Sequence, residues 1–160
     1  MTHERERQWK WDNRFLQLAE TVAQWSKDPS TKVGAVIVRP DLTIASLGYN
    51  GFARGCLDTE VIYDNRERKY QRVIHAEMNA VLTAREPLHG YTLYTTPPGL
   101  SPTCDRCAAH VIQSGIKRVV CRDQSHYHMA GRWADAWAEA LNMYCEAGVS
   151  VVHVPVVYQP

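Results

Sequence analysis

The stretch YTLYTTPPGLSPTCDRCAAHVIQSGIKRVVC, residues 91–121, decides the fold. "YTLYTT" is short, β-branched and aromatic, and reads as a strand. "CDRCAAHVIQSG" reads as a helix ended by Gly115. "IKRVVC" is a second short apolar run. Strands alternating with helices in this way imply a sheet with helices on both faces that is partly parallel.

Working outward, "WDNRFLQLAETVAQWS" (residues 11–26) places Phe15, Leu18, Ala19, Val22 and Trp25 on one helical face. Asp28-Pro29 stops that helix. "VGAVIVR" (33–39) is a buried strand, "PDLT" a turn, and "IASLGYN" (44–50) an antiparallel return. "GFARGCLDTEVIYDNRERKYQRV" (51–73) reads as a long functional loop. "HAEMNAVLTARE" (75–86) is a helix apolar nearly all round, so it is expected to be buried. "GRWADAWAEALNMYCEAG" (131–148) is the last helix, with Cys145 on its apolar face, and "VSVVHV" (149–154) is a fifth strand. The alternation predicts an α/β protein, a three-layer α/β/α sandwich around a five-stranded mixed sheet. No repeat or low-complexity linker interrupts it, so residues 1–160 are read as a single domain.

Composition narrows the function. The chain is 45% hydrophobic and 22% charged, with a formal net charge of +1. A polynucleotide binder needs a basic stripe to displace counterions. The most basic segment, "NRERKYQR", carries Arg66, Arg68, Lys69 and Arg72 diluted by Glu67, enough for one phosphate group. No run approaches the roughly 18 apolar residues of a membrane span. "MTHERERQWKWDNRF" lacks the apolar segment of a signal peptide, so a cytoplasmic location without membrane contact is expected.

The chemistry lies in two short motifs. Cys104 and Cys107 alone read as a redox pair, a metal clamp or two small buried residues. His75 with Glu77, at the start of another apolar helix, narrows the choice. His75, Cys104 and Cys107 form a three-ligand set, which is how catalytic zinc is held with one position left open. Residues three apart share a helix face, so the two sulfurs can pinch one ion. His75 and Glu77, two apart, share a target only at the first turn of a helix. Two helix N-termini would then converge, favouring thiolates, and Glu77 is placed to accept a proton. A dithiol redox pair leaves His75 and Glu77 unused. A non-enzymatic zinc module would add a fourth protein ligand and leave Glu77 without a role.

With these motifs the chain resembles the zinc-dependent cytidine/deoxycytidylate deaminase superfamily, whose signature is H-x-E followed by P-C-x-x-C. "DPSTKVGAVIV", "GYNGFARGC", "IHAEMNAVL", "CDRCAAHVIQSGIKRVV" and "EAGVSVV" are together similar to deoxycytidylate (dCMP) deaminases, in family order over residues 16–154. One departure is Thr103, which stands between Pro102 and Cys104 in a long "PPGLSPT" loop. The resemblance implies a cytidine deaminase-like fold and one catalytic Zn2+ per subunit. It implies hydrolysis of dCMP to dUMP and ammonia, feeding thymidylate synthesis. Glu77 would take a proton from water, deliver it to N3 and protonate the leaving amine. A backbone carbonyl within residues 96–101 would accept from the amine.

For the rest of the substrate, the resemblance assigns Asn50 to the sugar, although Asn50-Gly51 also reads as a plain turn. Arg54 is the first phosphate candidate, with Ser30, Thr31 and Lys32 as a second group. Arg54 and Lys32 also fit solvated surface charges. Tyr127 and His128 match an aromatic-basic pair that lies over the nucleotide in vertebrate-type relatives. The implied partners are a homo-oligomer, in the fullest form a hexamer, and dCTP and dTTP as effectors, with no polynucleotide. Alternatives on the same fold are a 5-substituted dCMP, a nucleoside, or a base within a polynucleotide.

Overall fold

The computed structural model describes residues 2–97, 99, 101–123 and 132–156. Helix α1 (His3–Ala23) is followed by β1 (Gly34–Val38) and β2 (Ile44–Tyr49). Strand β3 (Gly51–Phe52), helices α2 (Glu60–Asp64) and α3 (Arg66–Arg72), and strand β4 (Val73–Ile74) come next. Then follow α4 (Ala76–Thr83), β5 (Thr92–Thr95), α5 (Asp105–Gln113), β6 (Arg118–Arg122), α6 (Arg132–Glu146) and β7 (Ser150–Val154).

The main sheet has the order β2-β1-β5-β6-β7. Strand β1 pairs antiparallel with β2 and with β5, while β5, β6 and β7 are mutually parallel. The sheet is therefore mixed and five-stranded, and residues 92–122 form a β5-α5-β6 crossover within it. Alternation along each strand divides the core. Val36, Val38, Tyr94 and Val120 face α1 through Phe15, Leu16 and Ala19. Ala35, Ile37, Leu93 and Val119 face Ala76, Ala80, Ala108, Val111, Ala140 and Tyr144 of α4, α5 and α6. Period-two strands thus bury both faces, as a sheet between two helical layers requires.

Two glycines set the spacing of these layers. A Cβ on Gly34 would lie 2.0 Å from the Ala19 carbonyl oxygen of α1. A Cβ on Gly48 would lie 2.5 Å from the Ala80 amide nitrogen of α4. Only glycine lets each helix backbone approach its strand so closely.

The structure corrects several sequence expectations. Helix α1 ends at Ala23, so Trp25 escapes the helical period and is 52% exposed, its ring edge-on to Tyr49. The buried face is Asp12, Phe15, Leu16, Ala19, Val22 and Ala23. Residues 51–73 are not an open loop: Phe52 stacks on Tyr63 at 4.2 Å, Ile62 is buried, and β3 pairs with β4. Helix α4 is not buried all round, because it lies on the sheet by one small-residue face and leaves Leu82 65% exposed. Cys145 is exposed because the inward face of α6 runs through Trp137, Ala140 and Tyr144, about a quarter-turn away.

One buried polar contact fastens α1 to the sheet. The Arg118 guanidinium donates to both Asp12 oxygens at 2.8 and 2.7 Å, and the Tyr94 hydroxyl donates to Asp12 Oδ1 at 2.7 Å. Removing one member of such a pair strands the other's charge. Asp12→Ala is expected to destabilise the fold by about 3 kcal/mol, measured by urea denaturation. An unchanged midpoint would contradict this role.

Candidate active site

The two helices that carry the chemical residues begin side by side. His75 is the N-cap of α4 and Cys104 the N-cap of α5. Both have extended backbone, with φ/ψ of −66/154° and −74/169°, and neither side chain caps its own helix. The side chains are thereby free to turn toward a common point. Cys107 joins from one turn into α5, as its spacing from Cys104 predicts. The His75, Cys104 and Cys107 donor atoms all lie within 4.8 Å of one another.

The geometry fits a metal ion. His75 Nδ1 is 3.4 Å from each sulfur. Zinc bonds of ordinary length at tetrahedral angles set N···S near ~3.6 Å. One imidazole and two thiols are also a borderline-to-soft donor set. The electrostatics agree. Hydrogen bonding from Cys107, and then from His75, holds the Cys104 thiol well below its ordinary pKa. The same sharing, together with burial, pushes Cys107 up. Hydrogen bonding to Cys104 raises His75.

Glu77 stands in the first turn of α4 and is 4% exposed. Burial raises its proton affinity, partly opposed by His75. Its Oε1 accepts from the Thr95 hydroxyl of β5 at 3.4 Å. A carboxyl that can hold a proton therefore sits beside the donor set, at the carboxyl end of β5, where α/β sheets place their ligand crevices.

These groups open into a cavity of about 340 Å³. His75, Glu77 and Cys104 line its chemical end, with Pro97 and Thr103 from the loop after β5. Val33, Tyr70, Val73, Trp133 and Trp137 give apolar wall, and Asp28, Ser30, Thr31, Asn50 and Lys69 give polar wall. Thr103 is 1% exposed, and its hydroxyl meets the Tyr144 hydroxyl of α6 at 2.8 Å. Gly99 packs on the Trp137 ring where no Cβ would fit. The long loop is thus bound to α6.

The polar wall is a network around two buried groups. Asp28 Oδ1 accepts from the Ser30 amide and hydroxyl, both at 2.9 Å, and from the Thr31 amide at 3.2 Å. Lys69 Nζ lies 2.8 Å from each Asp28 oxygen. The Asn50 amide accepts from the Val33 N–H at 2.8 Å and donates to the Thr31 carbonyl at 2.8 Å. Burial works to raise the Asp28 pKa, but Lys69 and the Ser30 and Thr31 donors outweigh it and hold the carboxyl below its ordinary value.

Of the residues singled out in the sequence, His75, Glu77, Cys104, Asn50, Ser30 and Thr31 line the cavity, and Cys107 adjoins it. Lys32 and Arg54 are exposed and are not among the described lining residues. Arg54 lies in the turn after β3, and Lys32 precedes β1 with its neighbour Val33 turned inward instead. Tyr127 and His128 lie outside the described residues. Sequence reasoning missed Asp28, taken only as a helix stop, and Lys69, taken only as part of a basic run. Trp133 and Trp137 were legible in principle, being four apart on one helix face.

Residues 9–123 match the cytidine and deoxycytidylate deaminase zinc-binding region. The chain belongs to this deaminase family. It is 42% identical to the uncharacterized deaminase in the luxG 3' region of Aliivibrio fischeri, over 91% of this chain and 95% of that one. It is 36% identical to the deoxycytidylate deaminase of Homo sapiens, over 74% of this chain and 67% of that one. The dCMP deaminase of cyanophage S-TIM5, solved in complex with dCMP and dUMP, superposes with a TM-score of 0.64 at 25% identity. That match covers 94% of this deaminase and 97% of the phage chain. Among the described residues no helix is long and apolar enough to cross a membrane.

The Asp28 network gives a signed pH dependence. A depressed folded-state pKa contributes stability above the unfolded value, near ~3.9, and loses it as pH falls through the lower folded value. The stability gap between the native deaminase and Asp28→Asn is therefore expected at pH 6. It should shrink steadily below about pH 4, as followed by guanidinium denaturation at both pH values. A gap that widens in acid would reverse the assignment.

Proposed function

We propose that this deaminase hydrolyses dCMP to dUMP and ammonia with one zinc ion per chain. The observation that carries the reading is the convergence of His75, Cys104 and Cys107 beside buried Glu77, at the end of a cavity with a polar wall. The relatives named for deoxycytidylate, and the phage enzyme solved with dCMP and dUMP, support the choice of substrate.

His75, Cys104 and Cys107 would hold the zinc, which when bound supplies Lewis-acid activation of water at neutral pH. The remaining work belongs to the chain. Glu77 takes a proton from the attacking water as the C4–O bond forms, and hands it to N3 of the cytosine ring. It then takes the second proton from the new C4 hydroxyl and gives it to the amine, so that the C4 carbonyl forms as the C4–N bond breaks and ammonia leaves. The Thr95 hydroxyl orients the carboxylate for both transfers. Burial of Glu77 keeps bulk water from intercepting the proton. Ser30, Thr31 and Asn50 present the polar groups a sugar and phosphate need. Exposed Asp135, Glu139 and Glu146 on α6 disfavour a polynucleotide backbone.

The same reading takes residues 1–160 as one deaminase domain in the cytoplasm, supplying dUMP for thymidylate synthesis. It carries a homo-oligomer, a hexamer in its fullest form, with dCTP and dTTP as effectors.

The test is an ultraviolet assay of dCMP, 5-methyl-dCMP, CMP, deoxycytidine and an oligonucleotide, each with and without dCTP. dCMP is expected to be the best substrate. Glu77→Gln should retain zinc by metal analysis yet turn over at least ~10²-fold more slowly. Cys107→Ser should lose the zinc. A Glu77→Gln enzyme as fast as the unaltered one would overturn the mechanism, and a preference for deoxycytidine or the oligonucleotide would overturn the substrate.

A further inference from the structure

We infer that Lys69 is the residue by which the pocket distinguishes a phosphate monoester from the corresponding nucleoside. The inference rests on the mononucleotide reading above and names a residue for it. Among the described residues that line the cavity, Lys69 is the one lysine or arginine. Arg54 and Lys32, the two cations named individually as phosphate candidates from the sequence, do not line it, whereas Lys69 comes from the basic segment 66–72.

The placement of Lys69 is built. Residues 65–72 are the source of its position: Asn65 caps α3, accepting from the Arg68 N–H at 3.0 Å, and sets the helix that projects Lys69 toward residues 28–31. There the ammonium lies 2.8 Å from both Asp28 oxygens and donates to Ser30 Oγ at 2.7 Å. A lysine head normally samples many rotamers, and fixing it in advance removes that entropy from the cost of binding.

Asp28 raises the obvious objection, because a carboxylate beside a phosphate is repulsive. Exposure answers it. The Asp28 side chain is 3% exposed and that of Lys69 is 13% exposed. The carboxylate also spends its lone pairs on the Ser30 amide and hydroxyl and the Thr31 amide. An anion entering the cavity therefore meets the ammonium and the exposed Ser30 and Thr31 first, with Asp28 behind them as the counter-charge that fixes the cation. A phosphate oxygen can share Lys69 through a charge-assisted hydrogen bond. A nucleoside hydroxyl gains far less from the same ammonium.

The experiment compares dUMP with deoxyuridine by titration calorimetry, using the zinc-loaded enzyme and its Lys69→Met and Lys69→Arg variants. The affinity ratio of dUMP to deoxyuridine is expected to fall about 10- to 100-fold in Lys69→Met and to be largely kept in Lys69→Arg. A second measurement needs no variant. Acetic anhydride labelling followed by peptide mass spectrometry should show Lys69 protected by dUMP and not by deoxyuridine. An unchanged affinity ratio in Lys69→Met, even with both affinities lowered, would make Lys69 scaffold only and overturn the inference. Equal protection by the two ligands would overturn it as well. If the unaltered enzyme binds dUMP no tighter than deoxyuridine, the mononucleotide reading itself fails. If it prefers dUMP and the variant keeps that preference, only the assignment of Lys69 fails.

Discussion

Two helix N-termini aimed at one point carry like partial charges, each roughly half an elementary charge. Left alone they would repel. The sulfurs of Cys104 and Cys107, sharing negative charge next to His75, sit where that repulsion would be worst and turn it into attraction. The rest of the molecule serves this arrangement. Gly48 lets α4 lie close on β2, and the core beneath α5 seats Ala108 and Val111 against the sheet. Gly34 does the corresponding service for α1 on the opposite face, so the sheet that orients both site helices is itself clamped from behind.

Much of this was legible in residue order, because it is local. The crossover around residues 91–121 has strands and a helix of ordinary period, and the five strands of the mixed sheet fall where their apolar runs do. His75, Cys104 and Cys107 could be grouped because metal chemistry needs few residue types, and their helical spacing is close. The N-cap placement of His75 also followed, since His75 and Glu77 can share a target only at a helix end.

What could not be read depends on which surfaces meet. Residues 51–73 look like a loop because α2 and α3 are too short for a clear period, and the contacts that order them are Phe52 on Tyr63 and Lys69 on Asp28. Asp28-Pro29 announces a helix stop and hides a buried carboxylate that organises a pocket wall. Cys145 and Leu82 were placed inside from apolar neighbours, but rotation about a helix axis is fixed by tertiary packing, and both face outward. Asn50 shows the intermediate case. Its position beside the cavity was expected, but its amide is largely occupied in tying residues 31–33 together.

The seating of Gly99 on Trp137, and of Thr103 on Tyr144, joins the loop before Cys104 to a helix far along the chain. Loop and helix therefore behave as one mechanical part. A graft that exchanges residues 97–103 for a shorter relative's loop has to bring that relative's final helix along, because the ring at position 137 would otherwise face a gap or a clash. A change of side-chain size at position 137 or 144 is therefore felt in the loop that walls the chemical end of the cavity.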